Sequence, residues 1–197
     1  MHLNKKYWES QYKNKSTNWD IGYASPPITG YIDQISGKDT AILLPGAGNG
    51  YEAEYLLKKG FSNFTVLDIS SLALDNLRKR VPEFPAKFMR NEDFFEHKGK
   101  YDIILEQTFF CSIPRNMRRE YAEKCSELLN PRGKLVGLLF NHEFEKEGPP
   151  FGGSKEEYVD YFSQYFDFKI FGTAQNSIKP RAGREFFINF QKKDYAG

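Results

Sequence analysis

From residue 40 onward, short apolar runs alternate with stretches in which apolar residues recur every three or four positions. The runs at 40–44 (TAILL) and 64–67 (FTVL) are typical of buried strands, and each is followed by a stretch with helical spacing. The same alternation continues along the chain. It predicts further strands at 86–89, 101–105, 134–140, 166–171 and 185–190, and helices at 51–59, 71–80, 115–129 and 155–164.

This order of elements predicts an α/β fold. Strands that alternate with helices through short connections form a mainly parallel sheet with helices on both faces. The last two strands have an alternating pattern that predicts an antiparallel hairpin at the sheet edge. Residues 1–36 precede the first strand, with helical patterns near 5–13 and 27–35. We expect them to form a lid on a core at 37–197, within a single domain 1–197.

Composition and charge exclude several classes of protein. The 28 basic and 26 acidic side chains give a net charge of +2, which is too small to hold nucleic acid phosphates. No apolar run approaches the roughly 20 residues that cross a bilayer. Cys111 and Cys125 match neither a metal-ligand spacing nor a disulfide framework, and His2 and His97 are expected at the surface. We therefore expect a cytoplasmic protein without a metal, a monomer or weak homodimer, that acts on a small molecule.

Candidate chemistry begins at the turn after the first predicted strand. Residues 45–50 read PGAGNG, with glycines at 46, 48 and 50. In a parallel α/β sheet the ligand lies beyond the carboxyl ends of the strands, and the first such turn approaches it most closely. Glycines let the main chain come into contact with a ligand, and the helix that follows offers free N–H groups. Taken alone, the pattern is also consistent with a tight turn that has no function.

Two acidic positions after later strands favour an adenosine ligand. Asp68 ends the second predicted strand, 22 residues after Gly46, where a carboxylate accepts hydrogen bonds from both ribose hydroxyls. Asp93 follows the third predicted strand and is a candidate partner of the adenine amino group, with Phe94 against the ring, or else a helix N-cap. These features leave NAD and S-adenosylmethionine open, although the compact GxGxG favours the smaller ligand over the pyrophosphate of NAD.

Several segments together carry a resemblance to a known family. They are WDIG at 19–22 with Pro26, LPGAGNGYE at 44–52, LDIS at 67–70 with Ala73 and Leu74, YDII at 101–104, FFCSI at 109–113 and GPPF at 148–151. With this set the chain resembles, over nearly its whole length, the thiopurine methyltransferase family of class I methyltransferases, and especially its plant halide and thiol methyltransferase branch. The resemblance implies a Rossmann-like, mainly parallel seven-stranded sheet and S-adenosylmethionine as the cofactor.

The resemblance also implies which residues contact the cofactor. They are Trp8, Tyr12, Trp19, Gly46, Gly48, Asp68, Ile69, Asp93, Phe94 and Gln107. The chain departs from the halide and thiol branch at Tyr12 and Gln107, where Trp and Tyr are usual, and at Ala47, where cysteine is common. A non-catalytic cofactor-binding module therefore stays open as an alternative, beside a NAD-dependent oxidoreductase.

The implied reaction transfers a methyl group to a small nucleophile, such as a halide, hydrosulfide, a thiol or a thiopurine. The methyl group of a sulfonium is already activated, so in-line displacement mainly needs a nucleophile held behind it and water kept out. Aromatic side chains suit such a pocket, and the candidates are Phe109, Phe110, Phe140 and Phe151. Phe109 and Phe110 follow a buried strand and are also consistent with a place in the core. The segment 148–151 is expected to shape the far wall.

The charge of the acceptor decides whether a base is required. A neutral thiol or amine calls for a proton acceptor, for which Glu106, His142 and Glu143 are the candidates. An anionic nucleophile needs none, because it gains reactivity when it loses its hydration shell. Arg181 and Arg184 are candidates either for attracting an anion to the mouth of the site or for keeping the hairpin soluble.

Overall fold

A computed structural model describes residues 3–146 and 148–194. Within them seven strands form one sheet: β1 (Ile42–Pro45), β2 (Phe64–Leu67), β3 (Met89–Arg90), β4 (Tyr101–Gln107), β5 (Leu129–Phe140), β6 (Phe166–Thr173) and β7 (Glu185–Lys192). Their order across the sheet is β3-β2-β1-β4-β5-β7-β6. The neighbours from β3 to β5 pair in parallel, and β7 is antiparallel to both β5 and β6. The predicted α/β sheet with an antiparallel C-terminal hairpin is confirmed.

Helices cover both faces of this sheet. In the described ranges they are α1 (Lys5–Lys13), α2 (Pro26–Ile32), α3 (Tyr51–Lys58), α4 (Ser71–Arg80), α5 (Arg118–Leu128) and α6 (Lys155–Phe162). Along β1, Ile42 and Leu44 join a buried cluster with residues of α2, α3 and α4, whereas Leu43 joins one with residues of α5 and α6. Successive strand residues point to opposite faces, so the sheet has a core on each side. Over the described part of the chain, no helix is long and apolar enough to span a bilayer.

Local hydrogen bonds fix where several helices begin. The side chains of Asn4 and Ser154 accept a hydrogen bond from the main-chain N–H three residues on, at 3.1 and 3.2 Å, and so cap α1 and α6. Gly50 begins α3 from a left-handed conformation with φ of 70°, which favours glycine. Ser70 occupies the N-cap position of α4, but its side chain makes no capping hydrogen bond there. The start of α4 therefore depends on its main chain, which Asp68 holds.

The prediction of a third strand at 86–89 is wrong over most of that range. The turn Ala86–Phe88 is a 3₁₀ helix, and strand pairing is confined to Met89–Arg90. The ring of Phe88 stacks on that of Phe64, with 4.2 Å between their centroids, and also contacts Phe84. This apolar run is therefore buried by ring packing over the end of the core, and a longer strand is not needed to remove it from water.

The start of β5 also differs from the prediction. The helix expected at 115–129 begins with a 3₁₀ turn, Arg115–Met117, and ends at Leu128. Leu129 already pairs with Tyr101, after which the register resumes at Lys134. The residues between them, 130–133 (NPRG), bulge out of the strand, with Arg132 at φ of 60°. A turn-like sequence is thus contained within a strand as a bulge.

Candidate functional site

The loops that follow β1, β2, β3, β4 and β5 line one cavity, which the N-terminal segment also borders. All ten residues that the resemblance implies as cofactor contacts lie in its wall: Trp8, Tyr12, Trp19, Gly46, Gly48, Asp68, Ile69, Asp93, Phe94 and Gln107. Residues spread over 100 positions of sequence are therefore brought to one site. We call this site the central cavity.

The glycine loop needs glycine for two separate reasons. Gly46 has φ of 55°, and a Cβ atom there would lie 2.2 Å from Cδ2 of Phe109. Gly50 has φ of 70°, and its Cβ would lie 2.8 Å from a methyl group of Leu77 on α4. Backbone conformation and close packing thus both exclude a larger residue. The loop runs directly beneath the ring of Phe109, at the floor of the central cavity.

Asp68 is held against the glycine loop by the register of the sheet. Pro45 pairs with Leu67, so Gly46 and Asp68 leave adjacent parallel strands together. The Asp68 carboxylate accepts hydrogen bonds from the main-chain N–H groups of Gly48 and Ser70, both at 2.8 Å. Burial raises the pKa of Asp68 to about 6. Each carboxylate oxygen accepts one of these bonds and keeps a further lone pair, so the side chain is oriented and can still accept hydrogen bonds from a ligand.

The loop after β3 supplies two more carboxylates, Glu92 and Asp93. Asp93 accepts a hydrogen bond from the main-chain N–H of Phe95 at 2.9 Å, which shapes the turn without removing Asp93 from the cavity wall. Glu92 contacts Nδ1 of His97, whose Nε2 lies 2.8 Å from the Tyr101 hydroxyl. The expectation that His97 lies at the surface is wrong, since it is only 4% exposed. Its place between Glu92 and β4 satisfies both ring nitrogens in the interior.

Aromatic side chains from the N-terminal segment cover this region. Trp19 makes edge-to-face contacts with Trp8 and Tyr12, at centroid distances of 5.6 and 5.9 Å. Burial, and next the charge of Asp68, raise the pKa of Tyr12, so its hydroxyl keeps its proton. We call Trp8, Tyr12 and Trp19 the aromatic cluster. Its faces provide a wall suited to a cation.

Asp20 fastens the aromatic cluster to the glycine loop, a role that the sequence alone did not assign. Its carboxylate accepts hydrogen bonds from the side-chain amide of Asn49 and, at 3.4 Å, from the hydroxyl of Tyr51. Asn49 in turn accepts from Asn76 at 2.9 Å through its side chain and from Arg80 at 2.7 Å through its carbonyl. The loop residue Asn49 is therefore a junction of three elements. The only signal in the sequence was the proximity of Asp20 to Trp19.

The two sides of the central cavity differ in charge. The described charged residues that line it are all carboxylates: Asp20, Glu52, Asp68, Glu92 and Asp93. They come from the N-terminal segment, from the start of α3 and from the loops after β2 and β3, and we call this the charged side. From the loops after β4 and β5, the lining residues that the structure describes are all neutral: Gln107, Thr108, Phe109, Cys111, Ser112, Ile113, Pro114, Met117, Pro149 and Pro150. We call this the uncharged side.

Glu106 shapes the uncharged side from behind it. This fully buried carboxylate accepts hydrogen bonds from the main-chain N–H groups of Phe109 and Phe110, at 2.8 and 2.9 Å, and from the hydroxyl of Tyr121 at 2.6 Å. Burial raises its pKa to about 7. Glu106 does not line the cavity, so its candidacy as a base is withdrawn. It captures the two N–H groups and so turns the chain at the end of β4.

Because of this turn, the side chains of Phe109 and Phe110 point in opposite directions, and the pocket differs from the one predicted. Phe109 lines the cavity, whereas Phe110 packs in the core against Tyr121, 5.1 Å away between centroids. Phe140 and Phe151 are also outside the described lining. The ring of Phe140 packs against neighbouring rings at the end of β5, and Phe151 is held through its main chain. Of the four expected pocket residues, Phe109 therefore lines the cavity, and Phe110, Phe140 and Phe151 lie outside its described wall.

The segment near 148–151 does form a wall, but through its prolines. Pro149 and Pro150 line the cavity. The fully buried Arg118 donates to the carbonyls of Phe151 and Gly152 at 3.0 and 2.9 Å, and its guanidinium lies 4.5 Å from the Phe110 ring centroid. A buried cation on α5 thereby holds the loop in place. Sequence reasoning missed Arg118, because an arginine on a helix is usually solvated.

The remaining base and anion-binding candidates lie outside the cavity wall. His142 is 2.7 Å from the Arg184 guanidinium, and burial followed by this positive charge lowers the pKa of His142. Glu143 forms an ion pair with Arg115. Arg181 donates a hydrogen bond to the Trp19 carbonyl. Among the described residues of the cavity wall there is thus no Lys or Arg to attract an anion and no His to accept a proton.

The donor and acceptor groups of the cavity fit S-adenosylmethionine. Asp68 and Asp93 present carboxylate acceptors, which hydroxyl and amino donors require, and the aromatic cluster presents ring faces that suit a cation. The side-chain oxygen of Gln107 is buried and has no hydrogen-bond partner among the described residues. A buried acceptor without a donor is costly. An ammonium group bound beside Gln107 would supply the missing donor.

Solved structures show the class to which the fold belongs. A Burkholderia thailandensis 1,6-didemethyltoxoflavin-N1-methyltransferase with bound S-adenosylhomocysteine superposes with a TM-score of 0.73 at 18% identity, over 96% of this chain and 87% of that one. Magnesium protoporphyrin IX methyltransferase of Synechocystis, with bound S-adenosylmethionine, also reaches 0.73, at 12% identity, over 96% and 95% of the two chains. Together with the antiparallel β7, these likenesses define a class I methyltransferase fold.

The family follows from sequence comparison. Residues 3–192 match the family described as thiopurine S-methyltransferase (TPMT). The chain is 31% identical over 192 residues to the probable thiol methyltransferase 2 of Arabidopsis thaliana, and 31% identical over 193 residues to the thiocyanate methyltransferase 1 of Brassica oleracea. Each match covers 94% of this chain and 84% of the relative.

The chain belongs to the thiopurine S-methyltransferase family. It is an S-adenosylmethionine-dependent methyltransferase that acts on small nucleophiles. The two alternatives, a NAD-dependent oxidoreductase and a non-catalytic cofactor-binding module, are therefore set aside.

Proposed function

We propose that the methyl acceptor is a small thiol that binds against the uncharged side of the central cavity. The observation that carries this proposal is that the described wall holds carboxylates but no Lys, Arg or His. An anion that leaves water for this cavity would gain no ion pair from the protein, whereas a neutral thiol gives up little hydration. Cys111, Ile113 and Met117 offer it an apolar and polarisable surface.

The charged side, together with Gln107 of the uncharged side, holds S-adenosylmethionine in this proposal. Asp68 accepts hydrogen bonds from the ribose hydroxyls, because its carboxylate is already oriented by the glycine loop. Asp93 meets the adenine amino group and Phe94 packs against the ring. Gln107 accepts from the ammonium group of the methionine moiety. The remaining contacts come from Trp8, Tyr12, Trp19, Gly46, Gly48 and Ile69.

The bound cofactor supplies an activated methyl group, and the protein supplies position and exclusion of water. The proposed reaction uses no residue of the protein as a base. Burial raises the pKa of the Cys111 thiol to about 12, so Cys111 stays neutral and does not compete as a nucleophile or act as a base. The acceptor therefore enters as the neutral thiol and passes its proton to solvent water, according to its own pKa, before the site excludes water. The thiolate sulfur then accepts the methyl group of the sulfonium.

The proposal is tested by a labelled-methyl transfer assay with an aryl thiol, hydrosulfide, thiocyanate and iodide, from about pH 6 to about pH 9. We expect kcat/KM for the thiols to rise with pH up to the pKa of each thiol, and to exceed the values for thiocyanate and iodide by about tenfold. Faster turnover of thiocyanate or iodide than of every thiol would overturn the thiol proposal and leave the methyltransferase activity intact.

A weakly hydrated anion is the second candidate acceptor. The relative from Brassica oleracea is named a thiocyanate methyltransferase, and its identity to this chain equals that of the relative named a thiol methyltransferase. For an anion the attraction would come from the sulfonium of the cofactor and not from the protein. Its rate would be independent of pH above about pH 7, where the thiol rates still rise.

We also infer a cytoplasmic location and a monomer or weak homodimer. Cys111 and Cys125 are both free and buried, which suits a reducing compartment. The net charge of +2 supports a small molecule and not a nucleic acid as the partner.

A further inference from the structure

The aromatic cluster is tied to a part of the chain that is remote in sequence. Arg181 lies in the loop between β6 and β7, in the 3₁₀ turn Lys179–Arg181. Its Nη2 donates a hydrogen bond to the main-chain carbonyl of Trp19 at 2.8 Å, across 162 positions of sequence. The C-terminal hairpin thereby holds the N-terminal segment directly.

Arg181 is itself held in a fixed orientation. Its side chain is 12% exposed, and its Nη1 lies 3.4 Å from the carboxylate of Glu185. Glu185 is nearly fully buried and also accepts a hydrogen bond from Ser177 at 2.7 Å. The guanidinium lies 5.8 Å from the ring centroid of Phe140. Because the planar donor group is oriented in advance, little side-chain entropy is lost when it binds the Trp19 carbonyl.

Trp19 is the residue through which this contact reaches the cavity. Its ring lines the central cavity and contacts both Trp8 and Tyr12. The next residue, Asp20, is fastened to the glycine loop through Asn49. The Trp19 backbone is thus held on one side by the glycine loop and on the other by Arg181. Arg181 does not line the cavity, so any effect it has on a ligand must pass through Trp19.

We propose that Arg181 is a positioning residue that latches the aromatic cluster closed over the cofactor. The proposal rests on the cofactor site proposed above and adds a control element, since the hairpin loop then determines how firmly residues 3–36 act as a lid. When the Arg181 bond is absent, the Trp19 backbone is free to move away from the cavity. Cofactor binding then weakens, while the uncharged side keeps its shape.

The test uses intrinsic fluorescence, because the chain has two tryptophans and both belong to the aromatic cluster. The variant Arg181→Met keeps the length of the side chain and removes its donors. In the protein without ligands, we expect acrylamide to quench the tryptophans about twofold more strongly than in the wild type, as the half-buried rings become more accessible. The dissociation constant of S-adenosylhomocysteine should rise about tenfold, as for the loss of one charge-assisted hydrogen bond.

Two further variants separate the latch from damage to the hairpin. Arg184→Met alters the same loop at a residue that contacts His142, and Glu185→Gln removes the ion pair but keeps the Arg181 donors. Arg184→Met should stay within about twofold of the wild type in quenching and in cofactor affinity. Glu185→Gln removes the charge that orients Arg181, so it should change both quantities in the same direction as Arg181→Met but by a smaller factor. Arg181→Lys retains one charged donor, so its quenching and its cofactor affinity should lie between those of the wild type and Arg181→Met. If Arg181→Met does not fold, Arg181→Lys is the variant that tests the latch.

Two results of these measurements would overturn the latch proposal. Quenching of Arg181→Met at the wild-type level would show that Arg181 does not hold Trp19, and the latch would be wrong. Increased quenching with unchanged cofactor affinity would show that Trp19 is held but does not position the cofactor, which also overturns the proposal. The quenching measurement needs neither cofactor nor acceptor, so a failure of the proposed function is recognised separately, as a lack of S-adenosylhomocysteine binding to the wild type.

Discussion

The charged and uncharged sides of the central cavity are built from the same parts in opposite arrangements. On the charged side Asp68 faces the cavity, and main-chain N–H groups orient it. On the uncharged side the acidic and basic residues, Glu106 and Arg118, lie behind the wall and present none of their polar atoms to it. There the cavity meets Phe109 and the prolines that these two buried residues hold in place.

The difference separates two uses of a buried charge. A carboxylate that faces a ligand contributes hydrogen bonds to it, so its removal is felt as lost affinity. A buried ion behind a wall contributes only the position of that wall, and its removal is felt as a change of shape. Substitutions on the charged side should therefore affect the cofactor, and those behind the uncharged side should affect stability and the acceptor.

The largest expected effect is that of Asp68→Ala. The variant loses two charge-assisted hydrogen bonds to ribose, so the cofactor dissociation constant should rise at least about 100-fold in calorimetry. Because the pKa of Asp68 is about 6, protonation should also weaken binding to the wild type, by about tenfold for each pH unit below about pH 6. Above that pH the affinity should be constant.

A matched control for Asp68→Ala is Asp75→Ala, which removes an exposed carboxylate from α4. Its cofactor affinity should stay within about twofold of the wild type. Wild-type affinity in Asp68→Ala itself would show that the charged side does not bind the cofactor through this residue.

The next effect is on stability, through Glu106→Gln. The pKa of Glu106 is about 7 in the fold and 4.5 in its absence. The contribution of Glu106 to stability is therefore fully present below about pH 4.5 and is lost as the pH rises to about 7, on the order of 3 kcal/mol in all. The neutral glutamine has no proton to release, so chemical denaturation of the variant should lack this part of the pH dependence.

The comparison with the wild type isolates Glu106, since Asp68 has a raised pKa in both proteins. Identical slopes of unfolding free energy against pH for variant and wild type would contradict a buried, ionisable Glu106.

The smallest of these effects is expected for Arg118→Lys. Lysine keeps the positive charge beside Glu157 but cannot hold the carbonyls of Phe151 and Gly152 in the same fork geometry. The wall at Pro149 and Pro150 should shift, and the KM of the acceptor should rise about tenfold with cofactor affinity unchanged.

The neighbouring Arg119 provides the control, because its ion pair with Asp160 is exposed. Arg119→Lys should leave both constants within about twofold of the wild type. A rise in the cofactor dissociation constant of Arg118→Lys that equals the rise in acceptor KM would remove the distinction between the two sides.

Sequence reasoning succeeded where local geometry determines the outcome. Alternating strands and helices require a parallel sheet, and the pairing of Pro45 with Leu67 then places Gly46 beside Asp68. Spacing along the chain was therefore enough to predict the glycine loop and its acidic neighbour. The same holds for the antiparallel hairpin, whose two strands follow each other closely.

Sequence reasoning failed where one buried polar group determines the direction of several neighbouring side chains. The opposite directions of Phe109 and Phe110 depend on Glu106, and no periodic pattern shows that this carboxylate is buried. The run at 86–89 gave a strand prediction because ring packing between Phe88 and Phe64 has no local signature. Arg181 was considered as a cation at the mouth, since a contact across 162 positions cannot be read from its neighbours.

The position of β7 has a consequence for synthesis. β7 lies between β5 and β6 but leaves the ribosome after both of them. Until residues 185–192 emerge, a nascent chain carries an open edge along β5 and a β6 strand without its neighbour, and such edges attract chaperones or other unfinished chains. Ile188 and Phe190 of β7 then complete the core on the face of α5 and α6. Translation that pauses before this strand should therefore lower the yield of folded protein more than a pause at β3.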